Sequence, residues 1–156
     1  MTRFSAFLAF LALLPAPVQA DEHRCLSEAL YFEARDQGWR GMLAVGAVIQ
    51  NRVRHSRYPS SVCAVVRQGR YWRGRPVKHK CQFSFWCDGK HERPAEKRAW
   101  NTARNLAAML LSGRIEIVGL ESATHYHTTA VKPLWSKRLE RRKQVGSHIF
   151  YSGGVK

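Results

Sequence analysis

The chain of 156 residues carries 26 Lys and Arg against 11 Asp and Glu, a formal charge of +15 at pH 7. That length makes one domain with room for a real core, and no linker, internal repeat or low-complexity tract divides it. The basic excess excludes an acidic surface field and favours a polyanionic partner, while charge alone still allows a solvated basic face with no partner.

Residues 1–20 read as an export leader rather than as fold. Arg3 supplies the positive region, Phe4 to Leu14 the apolar region, and Val18-Gln19-Ala20 a small-residue cleavage site, so cleavage is expected before Asp21. The apolar stretch is too short to span a bilayer and nothing later could stop transfer, so no transmembrane anchor is expected after cleavage. An uncleaved membrane anchor is the alternative. Export sets a periplasmic or secreted location and names the polyanions within reach: anionic cell wall, membrane surface or extracellular DNA. It also places Cys25, Cys63, Cys81 and Cys87 in an oxidising compartment, where an even count reads as two disulfides with three pairings open.

A first helix is expected over 22–35, with Leu26, Ala29, Leu30 and Glu33 toward one side and the Asp36-Gln37-Gly38 turn ending it. A second should run from Gly38 to His55. Its middle, Met42 to Ile49, is apolar all round, which marks the central helix of the fold. Gly46 within it allows close approach by another backbone, at a propensity cost of about 1 kcal/mol. Tyr58-Pro59-Ser60 starts a short third helix that turns Val62, Cys63, Val65 and Val66 inward. Residues 69–91 read as an irregular loop crowded with Arg, Lys, His and aromatic side chains, a length that calls for a function or a disulfide. A fourth helix should begin near Pro94 and end at Gly113, with Trp100, Ala103, Leu106, Ala107, Leu110 and Leu111 on its core face. Ile115 to Val118 and His148 to Tyr151 alternate as strands do, so a small hairpin or sheet is expected. The class is α+β, mainly helical.

The chemistry centres on Glu33. It lies in Tyr31-Phe32-Glu33-Ala34-Arg35, between aromatic side chains and the buried second helix, where a carboxyl gains proton affinity. A general acid for breaking a glycosidic bond needs that environment. The competing role is a structural ion pair with Arg35 or a helix-end carboxylate. Glycoside hydrolysis usually needs two carboxylates, yet Glu28 is turned about 140° away on the same helix. Asp36 lies in the turn, and the other acids sit mostly among basic residues. A single carboxyl acting first as acid and then as base fits this pattern.

His125 and His127 in Thr124-His125-Tyr126-His127-Thr128 would share one face of a strand, which suits a metal or a hydrogen-bonded cradle. No third ligand stands at a recognisable spacing, so no metal is assigned. His79, Cys81, Cys87 and His91 superficially resemble a zinc cluster, and export argues for disulfides instead. Aromatic rings in loop-like stretches, Trp39 and Phe85 among them, could stack on sugar faces or fill the core.

The run from Tyr31 to Val53, with Glu33-Ala34-Arg35, Ala44-Val45-Gly46-Ala47-Val48 and Asn51-Arg52-Val53, resembles the signature of cell-wall hydrolases of the spore-cortex-lytic enzyme type. Cys81-Gln-Phe-Ser-Phe-Trp-Cys87-Asp-Gly89, Ala123-Thr-His-Tyr-His127 and His148-Ile-Phe-Tyr151 resemble the shorter exported form of Gram-negative bacteria. The resemblance spans about residues 25–151. It implies a lysozyme-like fold over 21–156, with Glu33 catalytic in a lytic transglycosylase acting on peptidoglycan. It implies no cofactor, and no nucleic-acid partner is expected of a monomeric wall enzyme. Gln82, Ser84, Tyr126, His125 and His127 are the expected substrate contacts, with Phe85 and Trp39 as stacking rings. The departures are Gln37, where many members carry a second Glu near the first, and Met42 in place of a Gln. The alternatives are an N-acetylmuramoyl-L-alanine amidase, which would need a metal, and a non-catalytic basic module that binds wall or nucleic acid.

Overall fold

The computed structural model describes residues 16–153, so the expected leader lies outside the described residues over 1–15. Four helices and five strands follow. Helix α1 (Ala16–Ala34) runs without a break past the expected cleavage junction, and a 3-10 turn (Arg35–Gln37) hands the chain to α2 (Gly38–Arg54). Then come α3 (Val62–Val66), β1 (Gly69–Trp72), β2 (Arg75–Cys81), a 3-10 turn (Ser84–Cys87) and α4 (Lys97–Leu111). The chain closes with β3 (Ala123–Thr128), a 3-10 turn (Leu134–Lys137), β4 (Glu140–Val145) and β5 (His148–Ser152). No helix among the described residues is long and apolar enough to cross a membrane.

The apolar run of α2 has the consequence expected of it: the helix is buried on two sides. Met42, Val45 and Ile49 face Leu26, Ala29 and Leu30 of α1 together with Ala103, Leu106 and Leu110 of α4. Ala44 and Val48 face the other way, onto Leu120, Ala123 and Phe150 beneath the sheet. Gly46 is needed for close approach, although the neighbours are side chains, Leu110 and Leu30, rather than a second backbone.

Cys25 is bonded to Cys63, tying α1 to α3, and Cys81 to Cys87, closing the segment between β2 and the following turn. The carboxylate of Glu22 accepts from the Val62 and Cys63 amides at 2.6 and 3.2 Å, satisfying orphan donors at the start of α3. Helix α4 starts at Lys97, three residues past Pro94. The intervening chain is held by Tyr31, whose hydroxyl accepts from the Ala95 and Glu96 amides. Gly113, at φ +68°, ends that helix in the left-handed region as foreseen.

Two expectations about strands change. Residues 69–81 form an antiparallel hairpin, β1 with β2, rather than an irregular loop. Ile115 to Val118 is not a strand: Ile115 and Ile117 do pack on the core, but no neighbouring strand pairs with them. The second sheet is antiparallel in the order β3-β5-β4, with Tyr126 opposite Phe150 and Lys143 opposite Phe150 on the other side.

Asn51 and Arg52 fix that sheet to α2. Asn51 Nδ2 donates to the Leu120 and Ala123 carbonyls at 2.7 and 2.8 Å, and Arg52 Nε donates to the Thr124 carbonyl at 2.8 Å. Both side chains are buried. Asn51→Ala would strand two buried carbonyls, so we expect a loss of about 2–3 kcal/mol of stability, read as a lowered urea midpoint.

Candidate active site

Glu33 stands on the last turn of α1, half-buried, where the helix end meets the edge of the sheet. The Tyr126 hydroxyl on β3 donates to Glu33 Oε2 at 2.8 Å. Arg52 on α2 lies near enough for its charge to act on the carboxyl. These groups line a groove of about 320 Å³ with Gln82, Phe83, Ser84, His125 and Trp135, and Glu33 is the only carboxylate in that lining. Arg35 does not pair with it, because Arg35 Nε is bonded to Glu96 at 2.9 Å. Glu28 is taken by Arg24.

The electrostatics of Glu33 are a contest. Burial raises its proton affinity most, while the Tyr126 hydrogen bond and the Arg52 charge pull it back down, and the balance is upward. The same burial pushes the Tyr126 phenol far above its usual range, so Tyr126 stays a hydrogen-bond donor rather than a proton source. Arg52 is lowered by burial, opposed by Tyr58, Tyr126 and Glu33, and remains cationic as a guanidinium does. It sits over the rings of Phe83 and Tyr58, 5.5 and 5.3 Å from their centroids. A carboxyl so placed keeps its proton to higher pH than an ordinary glutamate and finds two stabilising groups once it has given the proton away.

The strand period divides the β3 side chains. Tyr126 packs inward with Phe150 and His148, while His125 and His127 share the opposite face under Trp135, each 5.4 Å from that ring. His125 borders the groove. Its Nδ1 is engaged with Thr124 Oγ1 at 2.9 Å, and burial with Arg52 and Arg57 lowers its proton affinity, so it meets a substrate as neutral imidazole. His127 is placed otherwise than expected. It is buried, its Nδ1 is engaged with the Thr128 carbonyl and its Nε2 with the Tyr151 hydroxyl, and it lines no part of the groove. Burial also lowers His148, against the pull of Asp36, and the ring packs edge-on against Tyr126 at 5.2 Å.

Gln82 and Ser84 present exposed side chains along the opposite wall. Ser84 is shared with an adjoining hollow of about 280 Å³ whose lining includes Arg35, Asp88, Lys90 and His91. Phe85 lies beneath that hollow and is mostly core, its ring stacked on Phe32 with centroids 5.1 Å apart. Trp39 is 51% exposed on the first turn of α2, covered by Arg40 at 4.4 Å, and borders neither hollow. Three groove residues, Arg52, Phe83 and Trp135, had no expected role there. Arg52 is a buried cation on the last turn of α2, and its signal was its place beside Asn51 just past the apolar run. Trp135 was one aromatic among many, and nothing local marked it.

Gln37 turns out to be a strut. Its Oε1 accepts from the Ser147 amide at 2.8 Å, holding the β4–β5 turn, and its Nε2 donates to Asp36 Oδ2 at 2.9 Å. In Gln37→Glu the bond to Ser147 can persist, but the bond to Asp36 becomes a repulsion between carboxylates. We expect about 1 kcal/mol of destabilisation at pH 7 that disappears as the pair takes up a proton on acidification, checked by urea melts across pH.

Among the described residues no three His, Cys, Asp or Glu side chains converge as a metal-holding group, and Cys81 and Cys87 are bonded to each other.

The cell wall hydrolase family profile matches residues 36–151, beginning just after Glu33. The chain is 30% identical over 145 residues to the spore cortex-lytic enzyme of Bacillus subtilis (strain 168), covering 91% of this chain and 41% of that protein. It is 29% identical over 141 residues to the spore cortex-lytic enzyme of Halalkalibacterium halodurans, covering 88% and 36%. The chain thus spans about two fifths of the length of these relatives. In three dimensions it resembles the catalytic domain of the germination-specific lytic transglycosylase SleB from Bacillus anthracis, with TM-score 0.65 and 24% identity over 89% of this chain and all of that one. The catalytic domain of Bacillus cereus SleB gives TM-score 0.64 and 24% identity, over 89% and 95%. At that identity the likeness establishes the fold.

Proposed function

The chain belongs to the cell wall hydrolase family, and from that premise we propose that it is a peptidoglycan lytic transglycosylase with Glu33 as its single acid and base. The observation that carries the reading is the groove itself. Its one carboxylate has its proton affinity raised by burial, with Tyr126 and Arg52 ready to stabilise the anion. The relatives that are spore cortex-lytic enzymes and the fold shared with lytic transglycosylase domains support the same class.

In this reading Glu33 protonates the glycosidic oxygen between N-acetylmuramic acid and N-acetylglucosamine as the bond to muramic C1 breaks. The bonding pair leaves with that oxygen, which becomes the free 4-hydroxyl of N-acetylglucosamine. The oxocarbenium-like C1 is supported by its own acetamido oxygen. Glu33, now a carboxylate held by Tyr126 and Arg52, takes the proton of the muramic 6-hydroxyl, whose oxygen closes on C1 to give the 1,6-anhydro ring. Glu33 ends protonated, and no water is consumed. Inverting and retaining hydrolases need a second carboxylate to activate water or to form a covalent intermediate; ring closure needs neither. Trp135 offers a sugar-stacking face, and Gln82, Ser84 and His125 offer hydrogen bonds along the strand.

The setting that fits is the periplasm or the exterior, after removal of residues 1–20, with a monomer acting on the wall. Mass spectrometry of fragments released from purified sacculi tests the reaction. Anhydro-muramyl ends are expected. Reducing muramic ends would mean hydrolysis, free stem peptides an amidase, and intact sacculi a binding module.

A further inference from the structure

The β1–β2 hairpin is exposed on both faces, which leaves its existence unexplained by the core. A two-stranded hairpin without a packed face is marginal in water, and here the Cys81–Cys87 disulfide and a Trp86 Nε1 bond to the Tyr71 hydroxyl hold its base. Residues 69–81 contain five Arg and Lys and no Asp or Glu. At the tip Trp72 is 70% exposed, with Arg73 above its ring at 5.8 Å.

The two-residue turn Arg73-Gly74 has positive φ at both positions, the geometry that favours Asn-Gly. Arg73 at φ +47° therefore occupies a place where its side chain is conformationally costly. His79 at φ +58° is the other positive-φ residue besides glycine among the described residues, and it lies in the same hairpin. Strained positions kept for cationic or polar side chains, on an element that buries almost nothing, point to a surface shaped for a partner.

We propose that this hairpin is a second binding surface for peptidoglycan, its cations pairing with the carboxylates of the stem peptides and Trp72 stacking on the polymer. The identity of the polymer rests on the function proposed above. The placement favours the wall over a lipid surface. Strand β2 leads directly into Gln82, Phe83 and Ser84 of the groove wall, and the Gln82 amide is bonded to the Gln68 carbonyl at the foot of β1. Gly69 pairs with Cys81 at the base and Trp72 with Arg75 at the tip, so at about 3.3 Å per residue the hairpin reaches roughly 10 Å beyond the groove wall, and one long chain could engage both. Tethering by a distant contact would leave the chemistry at Glu33 untouched.

The test is a variant with Arg70, Arg73 and Arg75 changed to Ser and Trp72 to Ala, with an Arg-to-Lys triple as the charge-keeping control. Binding to purified sacculi is measured by co-sedimentation in the Glu33→Gln background, so the result does not depend on turnover. The expected outcome is a loss of about tenfold or more at low salt that shrinks at high salt to the Trp72 share, with the Lys control retaining most binding. With Glu33 present, cleavage of a short soluble glycan fragment should be unchanged while solubilisation of sacculi slows. On glycan strands stripped of stem peptides the gap between parent and variant should narrow to the share that Trp72 contributes by stacking. Unchanged sacculus binding overturns the proposal, as does a loss confined to phosphatidylglycerol vesicles. If the parent protein cleaves nothing yet the hairpin changes abolish sacculus binding, the catalytic reading fails and the wall-binding surface stands.

Discussion

Glu33→Gln is expected to slow the release of fragments from sacculi by about 10²- to 10⁴-fold while leaving the fold and sacculus binding intact. The substitution removes the transferable proton and changes little volume. Glutamine can still accept from the Tyr126 hydroxyl that now bonds Glu33 Oε2. The variant should also be more stable than its parent at neutral pH. Burial raises the proton affinity of Glu33 in the folded state, so the native protein keeps that proton where the unfolded chain has lost it. The favourable contribution is complete below the ordinary carboxylate range and disappears as pH rises through the folded value. Glutamine cannot ionise and escapes that loss. The gap between variant and parent should therefore widen with pH across the window from the unfolded to the raised value, read by urea melts. Unchanged release from sacculi would remove Glu33 from the chemistry. Equal stability at every pH would show that its environment is not the strained one that the acid role needs.

How much of this could be read from sequence depended on whether a residue's environment is written in its neighbours. Glu33 could be found because the aromatic pair before it and the apolar run after it are local, and together they specify burial. The central helix could be found for the same reason. Strand β4, Glu140 to Val145, could not, since it is exposed along almost its whole length and carries no alternation of apolar and polar residues. The hairpin escaped likewise: with neither face on a core there is no period of two, and its turn uses Arg-Gly rather than Asn-Gly. Ile115 to Val118 shows the converse error. Its alternation is real and is used for packing, but a strand also needs an edge to pair with, which no local pattern supplies.

The site followed the same division. His125, Tyr126, Gln82 and Ser84 reach the groove, while His127 is spent on Tyr151 although it shares the His125 face of the strand. Spacing put the two histidines on one side and could not say that Trp135 would cover them. Arg52 shows how composition misleads. An arginine in a basic protein reads as surface, yet this one is buried, bonded to the Thr124 carbonyl and directed by Asn51's neighbouring clamp on the same loop. Residues 51 and 52 thus position β3, and through it Tyr126, against the carboxyl at the end of α1.

Tyr126→Phe separates positioning from chemistry in that arrangement. Deleting one hydroxyl removes the donor to Glu33 and no packing surface, so the ring contacts with Phe150 and His148 should persist. Two effects are expected together. The carboxylate formed as the glycosidic bond breaks loses a pre-aligned donor, which should lower kcat by about 10²-fold with little change in KM. The same donor holds the Glu33 proton affinity down, so without it the acid should keep its proton to higher pH. Activity requires the protonated form, hence the alkaline limb of the pH–rate profile should move upward even as the plateau falls. A purely structural role for Tyr126 would lower the plateau and leave that limb in place. Arg52 remains in the variant and still favours the anion, so the loss should stay smaller than in Glu33→Gln. A larger loss would mean that the phenol, rather than the carboxyl, is the principal proton donor, which its far raised proton affinity argues against.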